Sequence, residues 1–465
     1  MENLFNLANN FFLYYLLIYA TFLTISAIYA TNKMYNDEKL ERLNNKLENK
    51  DYYPMSITVP AYNEELTIID TINNLLKLNY PRFEIIVIDD GSKDNTKNLI
   101  INSFNLKKKN MIINYQVKCE EIKEYYKGNI NGIDIILISK VNGRYKADAS
   151  NAGINVANYP YIVNMDADEL LQVDALEKMG KAILMDDKII ALGGNIRISN
   201  NTNFKSNIPE SIKFSKNIFA NSQEIEYSRA FIGSRILFDK LNCNLIVSGG
   251  YGVFKKEAMI NVGGYDKKSM GEDMELTVKL HKYYTDNKIP YTIKHVPSSI
   301  CYTQVPNNIG DLKKQRQRWH CGLMQTMFKY KSMLFNPKYK AVGLIALPYS
   351  LIYELFAPVF ILLGMAVIAL GIILNLINFH SYILLTLLYL IFGITLTATT
   401  YLNRVYLSYD KLNKKDIIKL GFYTIFDLLI IRMFLILINT VAYFKLNQTK
   451  KGWVSPKRIA NNIAS

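Results

Sequence analysis

Ser56-Ile57-Thr58-Val59-Pro60-Ala61-Tyr62-Asn63-Glu64-Glu65 opens the stretch that decides the fold, and Phe83-Glu84-Ile85-Ile86-Val87-Ile88-Asp89-Asp90-Gly91-Ser92 closes it. Ser56 to Val59 reads as a short strand. Glu64 to Leu78 carries apolar residues at 66, 69, 72, 75 and 76 in helical spacing, and Phe83 to Ile88 is a run apolar enough for a strand buried on both faces. This is a β-α-β unit. The alternation continues with Asn95 to Phe104 as helix, Ile133 to Ser139 as strand, Ala147 to Ala157 as helix and Tyr161 to Met165 as strand. It predicts a Rossmann-like α/β domain with a mostly parallel sheet and helices on both faces. Open sheets of this kind bind ligands at the carboxyl ends of their strands, here just after Val59, Ile88 and Met165.

Those three ends are dense in polar residues: Tyr62-Asn63-Glu64-Glu65, then Asp89-Asp90-Gly91-Ser92-Lys93-Asp94-Asn95-Thr96, then Asp166-Ala167-Asp168. For Asp94 and Asn95 a helix cap is a sufficient role. It does not cover the rest. Asp166 and Asp168, two residues apart at a strand end, bring two carboxylates together, and their repulsion is relieved by a cation or by hydrogen-bond donors. Hard oxygen ligands of this type suit Mg²⁺ or Mn²⁺ bridging to phosphate oxygens.

Outside this region the chain changes character. Asn3 to Asn32 contains no Asp, Glu, Lys or Arg, and Phe11 to Ala30 is apolar enough to cross a membrane core about 30 Å thick. A cleaved signal peptide would have a basic start and a short apolar core, whereas this chain begins Met1-Glu2-Asn3. The basic residues Lys33, Lys39, Arg42, Lys46 and Lys50 follow the span and put its downstream side in the cytoplasm. Leu355 to Asn403, again uncharged, is long enough for two spans with a turn near Asn375 to Ser381, and Ala341 to Tyr353 with Pro348 reads as a broken helix or the lower part of the first of them. A last apolar segment, Gly421 to Phe444, carries Asp427 and Arg432 at a depth where charges must pair or face a cavity. The basic tail argues for the cytoplasmic side although a simple count of spans puts it outside, so Gly421 to Phe444 is expected to be re-entrant or interfacial. In the 465-residue chain, half of it hydrophobic, 55 Lys and Arg exceed 40 Asp and Glu by 15. That surplus suits nucleic acid, anionic lipid or a phosphorylated substrate alike. Cys119, Cys243, Cys301 and Cys321 have no paired spacing and fit a reducing compartment without a disulfide framework or a cysteine zinc site. The histidines 281, 295, 320 and 380 have no metal-ligand spacing either.

Five segments in one order resemble the membrane-embedded family 2 glycosyltransferases, a group that includes hyaluronan, cellulose and poly-N-acetylglucosamine synthases. They are Pro60-Ala61-Tyr62-Asn63-Glu64, Ile88-Asp89-Asp90-Gly91-Ser92, Asp166-Ala167-Asp168, Gly271-Glu272-Asp273 and Gln315-Arg316-Gln317-Arg318-Trp319. The resemblance covers about residues 51 to 330 by motif and the two ends by membrane architecture. It implies a GT-A fold, a nucleoside-diphosphate sugar donor, Mg²⁺ or Mn²⁺, and inversion at the anomeric carbon.

By that resemblance, Tyr62, Glu64 and Asp90 form the uridine pocket, the ring stacking on the base and the carboxylates holding polar edges of base and ribose. Lys146 resembles the lysine that meets the donor; Arg144 competes for the phosphate role because Arg-Tyr-Lys-Ala stands where Gly-Lys-Ala is usual, and Lys146 is preferred. The segment from 105 to 140 is longer than usual. Asp168 is the implied metal ligand, and Asp166 contacts the ribose or the shell of the metal. Asp273 is the implied general base. A helix N-cap before Met274 is its plainer role, and the two are compatible, since a helix N-terminus favours the charged carboxylate that a base requires. Gln315 and Arg318 contact diphosphate or acceptor and Trp319 stacks on the acceptor sugar; the alternative for Lys313 to Trp319 is an interfacial helix touching lipid. Ser248-Gly249-Gly250 resembles an acceptor-side segment but is equally a plain turn.

The expected organisation is a transmembrane helix at 1–32, a basic linker at 33–50, a cytoplasmic catalytic domain at 51–310 and an interfacial segment at 311–340. Transmembrane helices at 341–403 follow, and then a loop, last helix and basic tail at 404–465. Expected partners are a UDP-sugar, a carbohydrate or lipid acceptor and membrane lipid, with an accessory export protein as an optional addition. Nucleic acid is excluded: no glycine-rich phosphate fingerprint follows the first strand, and Asp89-Asp90 would repel a phosphate backbone. A transporter without catalysis leaves the five soluble motifs unexplained. Two enzymatic readings stay open, extension of a polysaccharide at the membrane and transfer of one sugar to a lipid.

Overall fold

The computed structural model describes residues 2–43, 52–200, 204–205, 208–209, 214–408, 414–445 and 463–464. The linker lysines Lys46 and Lys50, and Lys450, Lys451, Lys457 and Arg458 of the tail, lie outside the described residues.

Helix α1 (Glu2–Leu43) precedes the α/β domain. In chain order that domain begins β1 (Met55–Ala61), α2 (Ile68–Leu75), β2 (Phe83–Asp89), α3 (Thr96–Ser103), β3 (Lys107–Lys108), β4 (Ile122–Ile130), β5 (Ile133–Lys140), α4 (Lys146–Val156) and β6 (Tyr161–Met165). It continues with β7 (Leu170–Leu171), α5 (Ala175–Met185), β8 (Ile189–Ile198) and the short strands β9 (Phe204–Lys205) and β10 (Ile208–Pro209). Then come α6 (Ile218–Arg229), which passes through a π turn into α7 (Arg235–Lys240), β11 (Tyr251–Lys255), α8 (Lys256–Asn261), α9 (Glu272–Asp286), β12 (Thr292–Thr303) and α10 (Ile309–Lys329).

The main sheet has ten strands in the order β3-β4-β5-β2-β1-β6-β11-β8-β12-β7. Its centre, β5-β2-β1-β6, is parallel, and β11 enters antiparallel between β6 and β8. Alternate residues of each central strand serve opposite layers: Ile85 and Val87 join Ile57 and Val59 in one core, Ile86 and Ile88 join Ile136 and Ile162 in the other. Burial on both faces is why the strands read as unbroken apolar runs, each such side chain contributing on the order of 2 kcal/mol. Helix α2 is shorter than its apolar spacing suggests. Asn63 sits at φ +56° and Glu64 to Thr67 form a turn, with Thr67 Oγ1 donating to Glu64 Oε2 at 3.0 Å. The long 105–140 segment is an added antiparallel hairpin, β4 and β5 joined by Asn131 and Gly132 at φ +51° and +86°.

Beyond α10, residues Val342–Leu355 form a run of π-helical turns around one α turn, α11 (Leu347–Tyr349), and meet α12 (Ala357–Ile373) at a 49° bend. Helix α13 (Phe379–Ser408) follows, and then α14 (Lys414–Phe426) continues through a π turn into α15 (Arg432–Lys445). Among the described residues three helices are long and apolar enough to cross a membrane, Glu2–Asn36, Phe379–Leu407 and Lys414–Lys445, and the bent pair makes a fourth if it counts as one span. Tyr382 bonds Asn9 at 2.9 Å and Asn403 bonds Thr31 at 2.8 Å, so α13 runs parallel to α1. Tyr353 lies against Tyr15 and Phe360 against Phe11, so α12 runs antiparallel to both. Of the two placements expected for Gly421 to Phe444, re-entrant or interfacial, the re-entrant turn is not seen: that segment lies in one continuous helix, and the sharp bend falls at Phe356, two residues before Pro358. The Asp427 carboxylate explains how the last helix keeps its charges, because it accepts from Arg229 of α6 at 3.0 Å and faces Arg432 at 3.5 Å.

Candidate active site

Register brings the strand ends together. Ala61 pairs with Asp89, Thr58 with Asn164 and Asp89 with Ser139, so Tyr62, Asp90, Lys140 and Asp166 leave the sheet at one edge. Tyr62 is half-buried and Glu64 is buried in the turn before α2. Asp90 is 6% exposed, and its Oδ1 accepts from Lys140 Nζ at 2.5 Å and from the Gly143 backbone at 3.1 Å. Burial raises its carboxyl above the ordinary carboxylate value, and Lys140 opposes the rise. Lys140 is itself buried and ties Asp90 to Asp148, which also meets Lys267. This internal chain of charges escapes sequence reading, because its members are 50 or more residues from Asp90 in sequence.

Lys146 opens α4 and reaches across the cleft. Its ammonium pairs with Asp166 and donates to the Gly249 carbonyl at 2.6 Å. Burial alone would lower its affinity for a proton, but Asp166 and Glu272 outweigh burial and hold it above the ordinary lysine value. Arg144 instead stands in an exposed turn at φ +64°. Asp168 is buried and Asp166 partly open, and next to them Glu169 is pushed well above the usual carboxylate range by burial first and by both aspartates second. Glu169 packs under Gly250, where any side chain would overlap its carboxylate. Of Ser248-Gly249-Gly250, Gly249 lies between Lys146 and Asp273, its backbone nitrogen 3.3 Å from Asp273 Oδ2.

Asp273 is the second residue of α9, and Gly271 is the cap. The N-cap role expected for Asp273 is thus corrected, because its Oδ1 accepts from the adjacent Met274 N–H at 2.8 Å and its Oδ2 faces the cleft loop. Glu272, the middle residue of Gly271-Glu272-Asp273, faces Arg318 and Lys146; burial raises its carboxyl and these two cations oppose the rise. Tyr265, which sequence reading did not single out, is a buried phenol whose hydroxyl has no hydrogen-bond partner among the described residues and which lies near Glu272, Asp273 and Asp166.

Helix α10 is capped by Asn308 and delivers Gln315, Arg318 and Trp319 on one side. Trp319 is 38% exposed, and Gln315 Oε1 is buried without a hydrogen-bond partner among the described residues. The helix can reach Asp273 because Gly322 touches the backbone of Gly271, and Gln325 accepts from the Met270 N–H at 2.9 Å. His281, His295 and His320 are buried. The first two hydrogen-bond to backbone carbonyls, and among the described residues no three His, Cys, Asp or Glu side chains close a metal site by themselves.

Residues 161–437 match Glycosyl transferase family group 2 and residues 56–115 match Glycosyl transferase family 2. The chain is 31% identical over 318 residues to the poly-β-1,6-N-acetyl-D-glucosamine synthase of Staphylococcus aureus, and 32% identical over 320 residues to that of Staphylococcus epidermidis. Each match spans 67% of this chain and 65% of the relative, just under two thirds of the relatives' length. A solved mannosyltransferase of Pyrobaculum calidifontis, in complex with GDP-Man and Mn²⁺, shares the fold with a TM-score of 0.51 at 19% identity, over 84% of this chain and 99% of that one. With its strand ends, α9 and α10 gathered at one cleft and more than half of its length matched to a single family, this chain belongs to glycosyl transferase family group 2 and is a family 2 glycosyltransferase.

Proposed function

We propose that the enzyme transfers N-acetylglucosamine from its UDP conjugate, with inversion, to the end of a growing polysaccharide at the membrane. The observation that carries this reading is the convergence of Lys146, Asp166, Gly249 and Asp273, which sets a donor-side cation and a carboxylate base on either side of one glycine. The likeness to poly-β-1,6-N-acetyl-D-glucosamine synthases supports the sugar.

In this reading Tyr62 stacks on the base, and Glu64 and Asp90 take polar edges of base and ribose. Lys140 and Gly143 both hold Asp90 through Oδ1, which leaves Oδ2 for the nucleobase. Asp168, with Asp166 beside it, supplies hard oxygen ligands at the strand end, a donor set that fits Mg²⁺ or Mn²⁺ completed by diphosphate oxygens. Such an ion neutralises charge on the leaving diphosphate. Asp273 takes the proton of the acceptor hydroxyl as its oxygen bonds to the anomeric carbon, and the bond from that carbon to the diphosphate oxygen breaks. Lys146 and Arg318 offset the charge that develops on UDP.

Trp319 offers a flat apolar face on which a sugar ring can stack in more than one register, so a chain can advance by one unit and stay bound. Position supports polymer extension, with translocation coupled to it, over single transfer to a lipid, because α10 leads directly into the membrane helices. The catalytic domain lies on the cytoplasmic side. The last helix is interfacial and returns the tail to that side: Cys321 of α10 donates to the Ala442 carbonyl at 3.7 Å and Tyr443 donates to the Leu355 carbonyl, so α15 ends beside the catalytic-side helix. Trp319→Ala tests the reading. Shortened or absent polymer with persistent hydrolysis of UDP-N-acetylglucosamine supports it, and polymer of wild-type length overturns it.

A further inference from the structure

Within Gln315 to Trp319, Arg316 is 6% exposed. Its Nη1 and Nη2 meet Glu226 Oε1 and Oε2 at 2.5 and 2.6 Å, a two-pronged pair across α10 and α6. The same guanidinium lies over the Trp319 ring, its central carbon 4.5 Å from the centroid. One cation is thus shared between a carboxylate that fixes its plane and an indole whose face it covers. A planar, delocalised guanidinium does both at once, which an ammonium would not.

Helix α6 is a firm base for this contact. Over two turns it grips three other helices: Glu224 pairs with Arg404 of α13, Glu226 with Arg316 of α10, and Arg229 with Asp427 at the join of α14 and α15. Ser222 adds a bond to Asp427, and Arg229 Nε donates to Thr397 at 2.9 Å. Glu226, remote in sequence from every motif of the site, is therefore held in place by the membrane helices and passes that placement to Trp319 through one arginine.

We propose that Glu226 is a positioning residue for acceptor binding: through Arg316 it sets the orientation of the Trp319 ring and thereby the grip on the terminal sugar ring of a saccharide acceptor. This rests on the reading of Trp319 as the acceptor platform. Without the carboxylate, Arg316 has a buried charge to satisfy and leaves the indole face for another acceptor, and the ring loses its preferred angle. Donor binding, made by Lys146, Asp90 and the aspartates, does not change.

The test uses the full-length enzyme in lipid nanodiscs with radiolabelled UDP-N-acetylglucosamine and an N-acetylglucosamine tetrasaccharide as acceptor. Glu226→Gln should raise the acceptor KM roughly tenfold, the size of a lost cation-to-indole contact, with donor KM and acceptor-free UDP release unchanged. Glu226→Asp, which keeps the charge, should restore part of the loss, and serves in its place if Glu226→Gln does not fold. In a Trp453→Phe background Trp319 is the remaining tryptophan, and its emission should shift in Glu226→Gln. The exchange Glu226→Arg with Arg316→Glu rebuilds an ion pair between the helices but sets a carboxylate against the indole face, so it should not restore the acceptor KM. Recovery by the exchange, or an acceptor KM in Glu226→Gln within twofold of wild type, overturns the proposal. If Trp319→Ala leaves the acceptor KM unchanged, the acceptor platform itself is wrong and the proposal falls with it; if Trp319→Ala raises it and Glu226→Gln does not, only the positioning role falls.

Discussion

Gly322 of α10 approaches Gly271 so closely that a methyl group on Gly322 would stand 2.6 Å from the Gly271 nitrogen. Backbone faces backbone there, so no flexible side chain can give way. Gly322→Ala should move α10 off the start of α9 and separate Trp319 and Arg318 from Asp273. A displacement of about 1 Å costs on the order of 10²-fold in rate, and turnover should fall by that order while UDP still binds. Turnover and UDP affinity measured side by side check this; unchanged turnover would show that the two helices are free to part.

Removing the proposed base separates chemistry from binding. Asp273→Asn preserves the size of the group and, through its one remaining acceptor oxygen, one of the two backbone contacts with Met274 and Gly249, so UDP affinity should stay within a few fold. Transfer should fall by roughly 10²–10⁴-fold. A large loss of UDP affinity with turnover intact would move Asp273 into the donor pocket.

Divalent-cation dependence gives a third check. Chelation should abolish transfer and Mn²⁺ or Mg²⁺ should restore it, whereas Asp168→Asn should lose more than about 100-fold at any metal concentration while melting like wild type. Full activity after exhaustive chelation would contradict the role given to Asp168.

Acid should loosen the catalytic domain through its buried histidines. Burial lowers His281 to about 4 and His295 to about 3, with backbone hydrogen bonds opposing the shift in both, against 6.5 for the free group. The unfolded chain then binds protons that the folded one does not, so stability contributed by each group is present above pH 6.5 and declines as pH falls towards 4, by about 3 kcal/mol for each. Thermal unfolding between pH 7 and 4 should show this slope, and His295→Gln should flatten it; a slope unaltered by that change would place the acid sensitivity elsewhere.

Topology is checked at the tail. A cysteine placed near Ser465, in a Cys119→Ser background because the other three cysteines are buried, should resist an impermeant thiol reagent applied to intact cells. Labelling from outside would mean that the last helix crosses the membrane.

The catalytic fold was legible because its central strands are buried on both faces, which leaves short unbroken apolar runs in the sequence. Tyr161 to Met165 coincides with β6 for that reason. The polar strand ends were legible for the same reason, since a parallel sheet places all of them on one edge. What could not be read was contact between distant segments: Lys140 with Asp90, Gly322 with Gly271, and Glu226 with Arg316 each join residues 50 or more positions apart. The added β4–β5 hairpin did leave a signal, Asn131-Gly132, whose two positive φ angles suit the tight turn between antiparallel strands. The partners of Asp427 were equally out of reach of the sequence: beside Arg432 on its own helix it meets Arg229 and Ser222 of α6, about 200 positions earlier.

The most direct measurement is of the product itself. Purified enzyme in lipid nanodiscs, supplied with Mn²⁺ or Mg²⁺ and each of a panel of radiolabelled UDP-sugars, should incorporate label from UDP-N-acetylglucosamine into a ladder of saccharides that lengthens with time. A product that stops at one sugar on a lipid at any excess of donor, or incorporation from a different UDP-sugar alone, would contradict the account.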